Sequence, residues 1–142
     1  MTDILMTMAT LPAADLARAR AFWHDAFGLD PMDSRDGADF YVMAGTTVLV
    51  YETEFAGTAK NTALSLLTEH LDHDMTELRT HGVTFHDYDL PGLKTVDGVA
   101  DLDEMRTAWF DDTEGNIIAL SEPASAEMIE RVRAIRSGAA PA

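Results

Sequence analysis

Two hydrophobic periodicities recur along this chain in the same order. Residues 6–11 are strand-like, and residues 15–27 place apolar side chains at helical spacing. Asp15 is suited to begin that predicted helix, and Gly28 is suited to end it. Residues 63–67 are again strand-like, and residues 71–80 again predict an amphipathic helix.

The two helical segments align as copies of one unit. Leu16 corresponds to Leu71 and Trp23 to Leu78, both at an offset of 55 residues. Residues 49–51 correspond to residues 118–120 at an offset of 69. The pattern predicts two βαβββ modules that bury their apolar faces against each other, with a concave sheet that offers a place for a ligand.

Strand and turn patterns complete each module. The predicted hairpins pair residues 40–43 with 47–51, and residues 107–110 with 116–120. Residues 83–86 predict a further strand. Residues 87–105 contain Pro91, Gly92 and Gly98 and are interpreted as a long loop that covers a binding site or is mobile.

The predicted fold class is therefore α+β, with two paired βαβββ modules around a cleft and a C-terminal helix. One domain is expected over residues 1–122, with module 1 at about 5–56 and module 2 at about 61–122. Residues 123–142 are expected to form a helix, capped by Ser125, and a frayed tail.

Composition narrows the possible functions. The chain has 142 residues, with 25 acidic and 10 basic residues and a formal net charge of −15. Such a field repels phosphate backbones and anionic lipid, so neither nucleic acid nor a membrane is expected as a partner. There is no cysteine, which excludes disulfides and thiolate chemistry. No signal or membrane-spanning pattern is visible, so a cytoplasmic location is expected.

Three segments carry a resemblance to a known family: residues 11–23, 78–83 and 109–116. In this order and spacing they resemble the vicinal oxygen chelate superfamily, which includes glyoxalase I, extradiol dioxygenases and bleomycin-resistance proteins. The likeness covers roughly residues 6–122. It implies the paired-module fold and, for related proteins, a dimer, so a homodimer is expected. It is weak evidence for activity, because one fold supports many sites.

The resemblance also implies where the metal-dependent members hold their ion. Those positions fall on Met8, Val50, Ala63 and Ala119, a thioether and three hydrocarbons. Divalent ions of this kind need imidazole or carboxylate donors. The chain is therefore interpreted as a member without metal ligands, and no metal, cofactor or catalytic residue is predicted.

Other side chains were weighed as parts of the cleft. Glu52 follows Val50 at strand spacing, His86 ends a strand, and Tyr88 and Trp109 could stack on a planar ligand. Each also has a simpler interpretation: a solvated carboxylate, a solvated strand end, or an aromatic core residue. The predicted cleft lining is Met8, Val50, Glu52, Ala63, His86, Tyr88, Trp109 and Ala119.

Three functional hypotheses follow. The first, which is favoured over an enzyme, is a protein without a metal that binds a small apolar or aromatic molecule of unknown identity in the cleft between the two modules. The second is a metal-dependent lyase of the glyoxalase type, or a dioxygenase, with displaced ligands such as Glu52, His86 and Asp87. The third is a protein-interaction module.

Overall fold

The computed structural model describes residues 2–138. The helices of that part are α1 (Leu16–Phe27), α2 (Leu71–Thr80) and α3 (Ala126–Arg136). The strands of module 1 are β1 (Ala9–Ala13), β2 (Asp33–Arg35), β3 (Ala38–Met43) and β4 (Thr46–Glu52). Those of module 2 are β5 (Thr62–Leu67), β6 (Asp89–Leu90), β7 (Leu93–Lys94), β8 (Ala100–Leu102), β9 (Met105–Asp111) and β10 (Ile117–Pro123).

Each module builds its own four-stranded sheet. Sheet 1 has the strand order β1-β4-β3-β2, and sheet 2 has the order β5-β10-β9-β8. The first strand of each module pairs in parallel with the last one, β1 with β4 and β5 with β10, and the other pairs are antiparallel. The predicted α+β class, the paired modules and the C-terminal helix are confirmed.

The first helix forms where the sequence predicts it, because both of its ends are capped. The Asp15 side chain accepts a hydrogen bond from the Arg18 backbone N–H at 3.0 Å. Gly28 adopts a φ of 65°, which ends the helix. Ser125 caps α3 in the same manner, accepting from the Met128 N–H at 3.2 Å. Residues 139–142 of the expected tail lie outside the described residues.

Alternation along the strands gives each sheet a helix side and an open side. In sheet 1, Leu11, Val48 and Val50 are buried with Trp23 of α1, so these strand residues face the helix. In sheet 2, Ala108, Phe110, Ile118 and Leu120 are buried with Leu71, Met75 and Leu78 of α2. The intervening residues of each strand face the open side.

The modules meet through their helix sides. Phe22 and Phe27 of α1 pack against the cores of both modules, and the ring of Phe27 stacks on Phe110 with centroids 6.1 Å apart. At the other end of α1, the Asn116 side-chain amide donates to the Pro12 carbonyl at 2.9 Å. Aromatic packing and a side-chain hydrogen bond thus both connect the two modules.

Two local expectations are corrected. The first strand begins at Ala9 rather than residue 6, because Ala9 is the first residue paired with β4, at Val48. The long segment 87–105 is ordered by short strands, since Pro91 and Gly92 form the turn of the β6–β7 hairpin. The Asp87 carboxylate accepts from the Gly98 N–H at 3.0 Å, which closes this segment on itself. None of the helices within residues 2–138 combines the length and the apolar character needed to cross a bilayer.

The pairing register also corrects the alignment of the two modules by one residue. In the parallel pairs, Ala9 is opposite Val48 and Leu64 is opposite Ile118. The last strands therefore correspond at an offset of 70 residues rather than 69. The equivalent of Ala119 in module 1 is Leu49, not Val50.

Candidate functional site

The open side of sheet 2 gathers most of the residues predicted to line a cleft. The strand segment at Phe85 bridges to Phe110 of β9, and both rings are buried on the helix side. The His86 N–H donates to the Trp109 carbonyl at 2.8 Å. Because neighbouring residues alternate across a sheet, His86 and Trp109 share the open side. The predicted residues placed on this side are Ala63, His86, Tyr88, Trp109 and Ala119.

An aromatic wall stands on this open side. The rings of Tyr88 and Trp109 meet edge to face, with centroids 5.5 Å apart and an interplanar angle of 84°. The His86 ring lies 5.8 Å from Tyr88. Edge-to-face contact is a favourable arrangement of aromatic rings, so each holds the other in position. The aromatic residues therefore form a connected group on the sheet surface.

His86 has a partner that the sequence reasoning missed. Its Nε2 lies 2.9 Å from Oδ1 of Asp111, and both side chains are partly exposed, at 35% and 49%. Asp111 lies two residues beyond Trp109 on β9, hence on the same side of the sheet. That spacing was visible in the sequence. The pairing of residue 86 with β9, which brings the two side chains together, was not.

Small and hydroxylated side chains occupy the centre of the same side. Thr107 of β9 and Ser121 of β10 are opposite each other, and their hydroxyls lie 2.8 Å apart. Both residues are buried, as is Ala119 beside them. Ala63 and Ser65 of β5 continue the surface and are exposed. Buried small and hydroxylated side chains therefore lie next to the aromatic wall, and the exposed part of this centre is at β5.

The remaining predicted residues lie elsewhere. Val50 is 2% exposed and packs under α1, on the helix side of sheet 1. Glu52 has the same strand parity as Val50 and is exposed in a shallow hollow with Asp36, Gly37 and Thr53. Met8 directly precedes β1 and is 39% exposed. The structure therefore does not bring all eight predicted residues onto one side of one sheet.

The displaced metal ligands considered for an enzyme are also separated. Glu52 is at the end of β4 in sheet 1, whereas His86 is on sheet 2. Asp87 accepts hydrogen bonds from Thr95 and Gly98, so its carboxylate is engaged by its own loop. Over residues 2–138, no group of three or more His, Asp or Glu side chains is placed to hold a metal ion.

The residues at the positions where the sequence resemblance implies metal ligands do not fit a divalent ion. With Leu49 in place of Val50, as the pairing of β1 with β4 and of β5 with β10 requires, these residues are Met8, Leu49, Ala63 and Ala119. These side chains offer one thioether sulfur and no imidazole or carboxylate, the donors that Zn²⁺, Mn²⁺ and Fe²⁺ require. The correction from Val50 to Leu49 exchanges one hydrocarbon for another.

A second hollow lies at the junction of the modules, on their helix sides. It has a volume of about 420 Å³ and lies between α1 and the strands β4 and β5. Its apolar lining includes Trp23, Phe27, Leu29, Leu64 and Leu66. Sequence reasoning placed Trp23 in the core. Its ring is 1% exposed and forms part of the inner wall of this junction hollow.

No family model matches the chain, and no curated protein sequence matches it. Several solved structures have a similar fold. FosX, the genomically encoded fosfomycin resistance protein of Listeria monocytogenes, superimposes with a TM-score of 0.66 at 18% identity over 89% of this chain and 96% of that one. A glyoxalase/bleomycin resistance protein/dioxygenase from Alicyclobacillus acidocaldarius gives a TM-score of 0.66 at 12% identity over 87% and 94%. An integron cassette protein of V. cholerae superimposes with a TM-score of 0.57 at 17% identity, over 86% of this chain and 98% of that one.

The chain thus has the fold of the vicinal oxygen chelate superfamily, as the sequence resemblance predicted. FosX has also been crystallised with Mn(II) and sulfate. At identities of 12–18% the likeness establishes the fold alone, since one fold supports many unrelated sites.

Proposed function

We propose that this protein binds a small apolar or aromatic molecule on the open side of sheet 2 without using a metal ion. The observation that carries the proposal is the absence of imidazole and carboxylate donors from Met8, Leu49, Ala63 and Ala119, the positions where the sequence resemblance implies metal ligands. Without imidazole or carboxylate there, the shared chemistry of the metal enzymes has no support. Ligand binding is the role that this surface retains.

The aromatic wall supports the nature of the ligand. Tyr88 and Trp109 present ring surfaces next to the small side chains of Ala119 and Ala63. Partly exposed rings of this kind are suited to a planar molecule, which gains apolar burial and ring stacking. The net charge of −15 disfavours an anionic ligand.

Tryptophan fluorescence tests the proposal, because the chain contains two tryptophans in different environments. Trp109 is on the open side of sheet 2, and Trp23 lines the junction hollow. We expect meta-nitroanisole, a neutral aromatic quencher, to quench the protein saturably. A Trp109→Phe variant should lose this response.

Two outcomes of the same titration would contradict the proposed binding site. Saturable quenching that persists in Trp109→Phe would place the ligand at the junction hollow beside Trp23 instead. No saturable response in the wild type, with this probe or with nitrobenzene, would contradict binding of aromatic molecules by this protein.

The absence of a metal is tested separately. The protein is produced in cells supplied with Mn²⁺, Fe²⁺, Ni²⁺ and Zn²⁺, purified and dialysed. Elemental analysis should then find less than one metal ion per chain. A stoichiometric ion that survives dialysis would support the alternative, a lyase or dioxygenase with displaced ligands. In that case Glu52→Ala and His86→Ala should show which side chains hold it.

We also expect a homodimer located in the cytoplasm. Four apolar residues before β1 support association with a second copy: Ile4 is 71% exposed, Leu5 100%, Met6 56% and Met8 39%. Contiguous exposed apolar residues are uncommon on monomers and mark interaction surfaces. The cytoplasmic location stays a prediction from composition.

A further inference from the structure

We propose that His86, held by Asp111, is a hydrogen-bond acceptor that selects ligands carrying a neutral hydroxyl group, such as a phenol or an enol. This inference rests on the proposed function, because it assigns the ligand class of the same open side of sheet 2. It adds a polar criterion to a surface otherwise described by its apolar residues.

The backbone sets the position of the imidazole. The hydrogen bond from the His86 N–H to the Trp109 carbonyl is 2.8 Å long, and the neighbouring Phe85 bridges to Phe110. Phe85 and Phe110 are 8% and 0% exposed. A slip of one residue would bring these two buried rings to the open side, so the register that places His86 beside Trp109 is strongly specified.

The carboxylate determines which ring nitrogen is free. Nε2 of His86 lies 2.9 Å from Oδ1 of Asp111. An ionised carboxylate can only accept a hydrogen bond, so the proton of the neutral imidazole must be on Nε2. Nδ1 then carries the lone pair. Among residues 2–138, no donor bonds to Nδ1.

The neighbouring rings limit what can approach that lone pair. Tyr88 lies 5.8 Å from the imidazole and 5.5 Å from Trp109. A planar molecule stacked on Tyr88 would lie beside the imidazole, within reach of a substituent on its ring. A hydroxyl there donates to Nδ1, whereas a methoxy group has no hydrogen to donate.

The test compares two probes, one with that hydroxyl hydrogen and one with a methyl group in its place. meta-Nitrophenol, at a pH at which it is neutral, and meta-nitroanisole are titrated against the full chain, with Trp109 fluorescence as the readout. We expect the phenol to bind about ten-fold more tightly, the size of one well-placed hydrogen bond. In His86→Phe the preference should disappear while the affinity for the anisole is retained.

A second measurement addresses the role of Asp111 without any ligand. Long-range proton–nitrogen NMR correlations should show the Nε2–H tautomer of His86 in the wild type. In Asp111→Asn both tautomers should be populated, because an amide can either accept from Nε2 or donate to it. The phenol preference should fall in parallel.

The outcomes separate this inference from the proposed function. Equal affinity for the two probes, or a preference that survives in His86→Phe, would overturn the role of His86 and leave aromatic binding intact. Failure of both probes to bind would overturn both proposals. An unchanged tautomer in Asp111→Asn would overturn the positioning role of Asp111.

Discussion

Glu114 lies in the turn between β9 and β10 and binds the start of α1 in the other module. Its carboxylate accepts from the backbone N–H groups of Ala14 and Asp15 and from the guanidinium of Arg18, at 2.8–3.0 Å. Burial alone would raise the pKa of Glu114. The hydrogen bonds from Arg18, the Asp15 amide and Thr113 outweigh burial and lower the pKa to about 2.

This lowered pKa predicts a pH-dependent stability. A carboxylate with a lower pKa when folded contributes its stability above its ordinary pKa of 4.5, and the contribution is lost as the pH falls toward 2. At pH 7, we expect the free energy of unfolding of Glu114→Gln to be about 2–4 kcal/mol lower than that of the wild type. The difference should shrink in urea titrations at lower pH.

The matched control is Glu77→Gln, at an exposed position of α2. It should change stability by less than about 0.5 kcal/mol. A Glu114→Gln variant as stable as the control at pH 7 would contradict the role assigned to this carboxylate.

Asp39 is a second buried carboxylate, within module 1. Its side chain is fully buried and receives two hydrogen bonds from Arg20, both at 2.9 Å, and one from Ser34. Arg20→Met should therefore cost about 3–5 kcal/mol, since it leaves a buried charge without its cation.

The double variant Arg20→Met with Asp39→Leu should recover much of that loss, because it removes both charges. A double-mutant cycle by urea denaturation measures the difference. If the two single losses simply add in the double variant, the pair is not coupled.

At the scale of elements, the segment between Phe85 and β9 positions the aromatic wall. Asp87 closes the segment by accepting from the Gly98 N–H, and Tyr88 donates its N–H to the Thr95 hydroxyl at 2.8 Å. A long glycine-containing segment between two strands predicts a loop. These hydrogen bonds make it an ordered support of Tyr88.

Two glycines of this segment form a matched pair for a test. Gly92 and Gly98 have φ values of 80° and 82°, but only at Gly98 would a Cβ meet another atom closely, the Phe85 Cβ at 3.1 Å. Gly92→Ala should cost about 1–2 kcal/mol from its conformation alone. Gly98→Ala should cost more, because it also disturbs Phe85.

Hydrogen exchange distinguishes the two variants further. Gly98→Ala should increase hydrogen exchange of the His86 N–H. Displacement of Phe85 would weaken the neighbouring hydrogen bond from this N–H to the Trp109 carbonyl of β9. Equal losses of stability and equal exchange in both variants would contradict the proposed support.

At the scale of the whole molecule, an exposed apolar segment favours association with another chain. Ile4, Leu5 and Met6 precede the first strand and are largely exposed, and β1 is an edge strand of sheet 1. An exposed edge preceded by apolar residues favours pairing with another chain. The expected homodimer would cover these residues.

Sedimentation velocity of the full chain should therefore show a dimer, and Leu5→Asp should shift it toward a monomer. Asp3→Asn is the control, because Asp3 is an exposed polar residue of the same segment. A wild type that stays monomeric at high concentration would contradict the expected homodimer.

The sequence alone determined the three helices, the caps of α1 and the N-cap of α3, and the repeat of one unit. These depend on contacts between near neighbours, such as the Asp15 side chain with the Arg18 N–H, and on helical spacing. The order of these elements was sufficient to identify the fold class. The lack of metal donors at the positions implied by the resemblance was likewise visible in the sequence. Shifting the alignment by one residue, from Val50 to Leu49, only exchanges one hydrocarbon side chain for another.

Only the tertiary structure decided which residues share a side. Along β10, Ile118, Ala119, Leu120 and Ser121 are all buried, so both sides of this strand are covered and hydrophobicity alone does not tell which side faces the helix. Val50 was therefore assigned to the wrong strand parity. The pairs His86–Asp111 and Arg20–Asp39 join residues 25 and 19 positions apart. Strand pairing and helix packing bring such residues together. The local sequence pattern does not show which residues will meet, because it reports only on near neighbours in the chain.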